Sequence, residues 1–213
     1  MNKMLITRPN YDKGMEYLFA WSKEIIQQAE QKGWAVSKAD GSNANRKEVQ
    51  SKLEKVSPDF VVFNGHGNQN EIFGQGSKPL INKNSAPVLK NTITFARSCE
   101  CLLGLGEASV KNGCRSFIGY SSQFVFPMLH QWETNPLSDT AAKPVLETSN
   151  QIALKIIKGS TVAEAINASR TLANKFILKL VLSEELYDRA ALRALIQNDY
   201  GIGFKGNENA KIE

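Results

Sequence analysis

Cysteine and histidine are scarce in this 213-residue chain, with three of the first and two of the second. So sparse and odd a set of thiols builds no disulfide framework. Cys99, Cys101 and Cys114 also lack a second Cys or His pair at zinc spacing, so no metal site is expected. There is no run of about 18 apolar residues, and hence no candidate membrane-spanning helix. The first residues carry no apolar signal-peptide core, which makes a cytoplasmic protein without a membrane partner the default expectation. An arginine-rich stripe is missing too. The net charge of +5 comes from lysines scattered among acids, a pattern that argues against nucleic acid as the main ligand. Gly65-x-Gly67 follows a strand-like run, but Asn70 stands where a dinucleotide fingerprint needs its third glycine. No cofactor is expected.

What is present is a hydrophobic fraction of 42%, enough for one sizeable core. Met4 to Thr7 reads as a first strand, stopped by Pro9. Tyr17 to Gln31 reads as a helix, because Leu18, Trp21, Ile25 and Ala29 recur at three- and four-residue spacing before Gly33. Trp34 to Ser37 is a second strand. Arg46 to Val56 is a second helix, ended by Pro58. Phe60 to Asn64 follows as a strand that is apolar without alternation, as in a parallel sheet covered on both faces. Ile72 to Ile81 suggests a small hairpin turning at Gly76, and Thr92 to Ser98 another strand. A helix over 102–112 and a strand over 115–120 come next. The aromatic stretch Ser121 to Ser138 is irregular, and a loop that long in a compact domain is usually functional or mobile. Two long helices follow, the second introduced by a capping box of Ser160 or Thr161 with Glu164. A last helix over 186–197 and a strand over 200–204 complete the pattern. The β-α-β-α-β order predicts an α/β sandwich with a mostly parallel sheet. It reads as a single domain over 1–206, with 207–213 as a frayed tail.

Two strands end in residues with chemistry. One runs into Gly65-His66-Gly67 and the other into Ser98-Cys99. Ligands of a parallel sheet bind beyond the carboxyl ends of its strands. The 33 positions between His66 and Cys99 leave room for one crossover, which would make the two strands neighbours. A thiol beside an imidazole is the minimum for nucleophilic acyl transfer. A helix beginning just after Cys99 would favour its thiolate. The Gly67 and Cys99 N–H groups could form a two-donor oxyanion hole. Gly65, Ser121, Ser122 and Gln123 are candidate substrate-binding positions at strand ends. Cys114 is expected to be buried and inert, and His130 exposed.

The residues resemble those of caspase-like (clan CD) cysteine peptidases, the group that includes caspases, gingipains, legumain and separase, and most closely the prokaryotic CHAT domains. Four blocks carry the resemblance: Val61 to Gly67, a strand into His-Gly; Phe95 to Cys99, a strand into a small residue and Cys; Ala108 to Gly119, a helix, Gly-Cys-Arg-Ser and a strand; and Lys158 to Ala165 in the late helix pair. Arg97 departs from the pattern, standing where the family has a small residue. The resemblance implies a caspase-like three-layer α/β/α sandwich. It implies an intracellular cysteine endopeptidase with Cys99 as nucleophile, His66 as general base and acid, and Gly67 as oxyanion donor. A protein or peptide substrate is then expected, and a regulatory protein subunit is a possible partner. Two other readings stay open. One is a catalytically inactive relative that binds a protein or peptide in the same groove. The other is a flavodoxin-like domain that binds a small molecule.

Overall fold

The computed structural model describes all residues, Met1–Glu213. A six-stranded sheet forms its middle layer. The strands are β1 (Lys3–Arg8), β2 (Ala35–Asp40), β3 (Phe60–Asn64), β6 (Ile93–Arg97), β7 (Ser116–Tyr120) and β8 (Ile202–Gly206), and the order across the sheet is β2-β1-β3-β6-β7-β8. All pairs are parallel except β7–β8. The expected hairpin is present as β4 (Glu71–Phe73) and β5 (Pro79–Asn82).

The apolar run of β3 shows why two layers of helices are needed. Phe60 and Val62 point into one core, while Val61 and Phe63 point into another. The first core lies under α1 (Lys13–Gln31), α4 (Lys143–Ile157) and α5 (Val162–Val181). The second lies under α2 (Arg46–Val56) and the hairpin, with α3 (Glu107–Lys111) alongside. A strand so placed needs no polar face. The last helix, α6 (Leu186–Gly201), packs on α5 and α4. No helix is long and apolar enough to cross a membrane.

Several boundaries differ from expectation for local reasons. α1 begins at Lys13 rather than Tyr17, because the Asp12 side chain accepts the Met15 N–H at 2.9 Å and caps the helix there. The cap of α5 is Thr161, whose capping box with Glu164 is complete. α6 continues to Gly201, so the closing strand starts at Ile202. The terminal residues are not frayed. Ala210 and Ile212 are buried in the first core, and the Ala210 and Glu208 carbonyls accept the N–H groups of Val162 and Ala163 at 3.0 Å each. Those two donors belong to the first turn of α5, which leaves its early N–H groups without helical partners. The tail supplies the acceptors.

Candidate active site

The carboxyl ends of β1, β3, β6 and β7 lie side by side, and α1 after the first and a loop after each of the others contribute to one hollow. The pairing of β3 with β6 sets its geometry. Phe60 faces Ile93 and Asn64 faces Arg97, an offset of 33 throughout (93 − 60 and 97 − 64). His66 and Cys99 share that offset, so each lies two residues beyond a matched pair. Both line a cavity of about 220 Å³.

His66 is held from the β1 side. Its Nε2 lies 2.8 Å from Asp12 Oδ2, and the imidazole is half exposed. A carboxylate only accepts hydrogen bonds, so Nε2 is the donor here, and in the neutral ring the lone pair falls on Nδ1. The other Asp12 oxygen caps α1. The helix thereby fixes the carboxylate, and the carboxylate fixes the ring. Asp12 escaped the sequence reading. The available signals were its N-cap residue type and its place just after a strand, on the same edge as His66.

Gly67 lies so near the bend after β6 that a Cβ there would sit 2.0 Å from Ser98 Oγ and 2.8 Å from the Glu71 carbonyl oxygen. Only glycine permits that approach. Gly67 faces Ile72 across an extension of the hairpin whose bonds are made by its neighbours, Asn68 N–H to Glu71 O and Phe73 N–H to His66 O. The Gly67 N–H therefore has no partner within the chain, and neither has the Cys99 N–H. Gly65 also lines the cavity, with its Cα packed against the Phe73 carbonyl.

Cys99 does not lie at a helix terminus. Ser98 to Glu100 form a bend, Glu100 has φ of 56°, and the first helical residue is Leu102, at the start of a π-helical turn (Leu102–Gly106) leading into α3. The expected thiolate-stabilising dipole is thus absent. Burial instead raises the thiol pKa above its ordinary value, and the neighbouring Glu100 carboxylate adds to the effect. The sulfur lies 3.9 Å from the Phe124 carbonyl oxygen. Cys101 is fully buried and pushed up to about 12 by desolvation. Cys114 is buried at the amino end of β7, and His130 is exposed, both as expected.

Of the other expected binding positions, Ser121, Ser122 and Gln123 do not line the cavity. Ser121 bonds to the Gly201 carbonyl, and the Ser122 carbonyl accepts the Glu100 N–H at 2.9 Å, which braces the bend that carries Cys99. Gln123 offers its carbonyl to Gln197. The chain enters the cavity wall only at Phe124, and Val125, Phe126 and Met128 continue it. Two buried polar side chains pin this wall. Asn198 makes both backbone bonds of Val125, at 3.1 and 2.8 Å. Asp139 accepts the Leu129 N–H at 2.8 Å and the Tyr17 hydroxyl at 2.7 Å.

Beneath the cavity lies Arg97, with no exposed surface. Its guanidinium donates to Asn64 Oδ1, Asn150 Oδ1 and Ser22 Oγ at 2.6 to 2.8 Å, all neutral acceptors. Desolvation lowers its pKa to about 10. The network ties β3, β6, α1 and α4 together directly under the site.

No family model matches the sequence, and no curated protein matches it. Solved structures do match its fold. Over 98% of this chain, gingipain R, described as an Arg-specific cysteine proteinase, superposes with a TM-score of 0.62 at 11% identity. A complex of Porphyromonas gingivalis RgpB pro- and mature domains gives 0.58 at 10% identity over the same share. This chain spans slightly less than half of those proteins, 46% and 47%. The fold is thus the caspase-like α/β fold of these cysteine proteinases.

Proposed function

We propose that this chain is a cysteine peptidase that cleaves peptide bonds with Cys99 as nucleophile, His66 as general base and acid, and Asp12 as the group that orients His66. The supporting observation is the shared register of β3 and β6, which carries an imidazole and a thiol to matched places on one cavity. Nδ1 takes the thiol proton as Sγ attacks the carbonyl carbon. The raised thiol pKa makes that transfer part of the attack rather than a step completed beforehand. The unpartnered N–H groups of Gly67 and Cys99 are available to the oxyanion. The imidazolium, stabilised by Asp12, then protonates the leaving amine. Water delivered through the same nitrogen hydrolyses the thioester.

One observation favours the second reading, an inactive domain that binds a peptide. Cys99 Sγ lies against the Phe124 carbonyl and makes no hydrogen bond to His66. Catalytic bonds are often slack before substrate arrives, and cleavage of a peptide library separates the two readings. Wild type is expected to cleave, and Cys99→Ala to be inactive. His66→Ala should fold with an unchanged Tm and lose about 10²- to 10⁴-fold in kcat/KM. A folded His66→Ala protein that kept the wild-type kcat/KM would remove the dyad. A wild type that bound peptides without cleaving them would leave only the binding domain.

A further inference from the structure

We infer that the cavity beside Cys99 holds the side chain of the residue that donates the scissile carbonyl, and that it selects an uncharged apolar side chain rather than a basic or acidic one. This rests on the peptidase reading. The side chain in question is two bonds from the attacked carbon, so it must enter the hollow that borders Sγ. At about 220 Å³ the hollow is smaller than the roughly 300–1,000 Å³ of small-molecule sites and suits one side chain.

The walls decide its chemistry. Met15 and Leu18 come from α1, and Phe124, Val125, Phe126 and Met128 from the pinned segment after β7. No carboxylate lines the cavity. The nearest acids along the chain, Asp12, Glu16 and Glu100, are not among the lining residues, and Asp12 has both oxygens engaged, one with Met15 N–H and one with His66, while Glu16 pairs with Lys13. A lysine or arginine side chain would therefore lose its water without gaining a partner, and it would do so above the buried guanidinium of Arg97. An aspartate or glutamate would be drawn by that charge, but Arg97, which borders the cavity floor, has no exposed surface, and three of its donors go to Asn64, Asn150 and Ser22. Ser98 Oγ is the one buried, unpartnered side-chain oxygen in the lining and carries no charge, so an apolar side chain enters with a smaller unmet polar requirement than any charged one.

The test is a matched set of fluorogenic peptides that differ at this one residue, with Leu, Met, Phe, Ala, Asp, Lys or Arg there, assayed with wild type and Met128→Asp. Wild type is expected to prefer the large apolar residues over Lys, Arg and Asp by about ten- to a hundredfold in kcat/KM. Met128 is 43% exposed at the rim, so Met128→Asp should fold normally. It should raise the ratio of Arg to Leu cleavage at least about tenfold. A wild type that cleaves best after Arg or Asp, or a folded Met128→Asp protein with an unmoved ratio, overturns the inference and leaves the peptidase reading standing. Absence of cleavage across the set, together with no labelling of Cys99 by a peptidyl chloromethyl ketone, overturns both.

Discussion

Asp12 divides its carboxylate between a helix and a histidine, and the two tasks separate by substitution. Asparagine caps helices about as well as aspartate, whereas alanine costs about 1 kcal/mol. Asp12→Asn should therefore leave the Tm nearly unchanged. Its amide can turn an NH₂ toward His66, which makes Nε2 the acceptor and puts the proton on Nδ1, the wrong nitrogen. A fall of about 10²-fold or more in kcat/KM is expected, and Asp12→Ala should lose stability as well. An Asp12→Asn enzyme with the wild-type rate would reduce Asp12 to a cap. That His66 and Cys99 border one hollow could be read from the sequence because each ends an apolar run at a glycine or a small residue. The part of Asp12 could not, since its partner lies 54 positions away and its residue type and place after β1 announce a helix cap but not a contact with His66. The thiolate expectation failed over a few residues. A left-handed Glu100 and a bend delay the helix to Leu102, and neither feature follows from residue preference.

Among elements, the segment after β7 matters most to the cavity, and α6 holds it through one side chain. Asn198→Ala removes both backbone bonds to Val125 from a buried position. At about 0.5–1.5 kcal/mol for each bond, a drop of a few degrees in Tm is expected. A wall no longer held in place weakens substrate positioning, so KM should rise several-fold while kcat changes less. An unchanged KM at a lowered Tm would mean that the wall is set by its own packing. The strands of this site were legible because buried parallel strands are short continuous apolar runs, and Phe60–Asn64 has the same bounds in sequence and structure. That the loop from Ser121 serves the site was legible from its length and aromatics. Which of its residues do so was not. Ser121 to Gln123 turn to Gly201 and Gln197, and a partner helix 74 to 80 positions on (197 − 123 and 201 − 121) leaves no mark on local pattern.

For the whole molecule, the parallel sheet and its two helical layers followed from the alternation of strand and helix patterns, whereas the closing contacts did not. The seven residues from Asn207 look polar enough to fray, yet Ile212 enters the first core, 6% exposed. Ile212→Ala should destabilise by about 2–4 kcal/mol and lower the Tm by several degrees. Thermal unfolding of the variant checks this, and a shift of under one degree would return the tail to solvent. The same residues bond to the first turn of α5, so truncation before Glu208 should lower the Tm further than the single substitution does.

The pinning of Val125 by Asn198 has a consequence for the order in which the chain is made. Asp12, His66 and Cys99 leave the ribosome early, and the wall residues from Phe124 soon after. Asn198 emerges 74 residues behind Phe124 (198 − 124). At roughly 5–20 residues per second that is about 4–15 s of translation. Throughout that interval Val125 has no amide to hold it, so the hollow beside His66 and Cys99 acquires its fastened wall only once α6 has emerged.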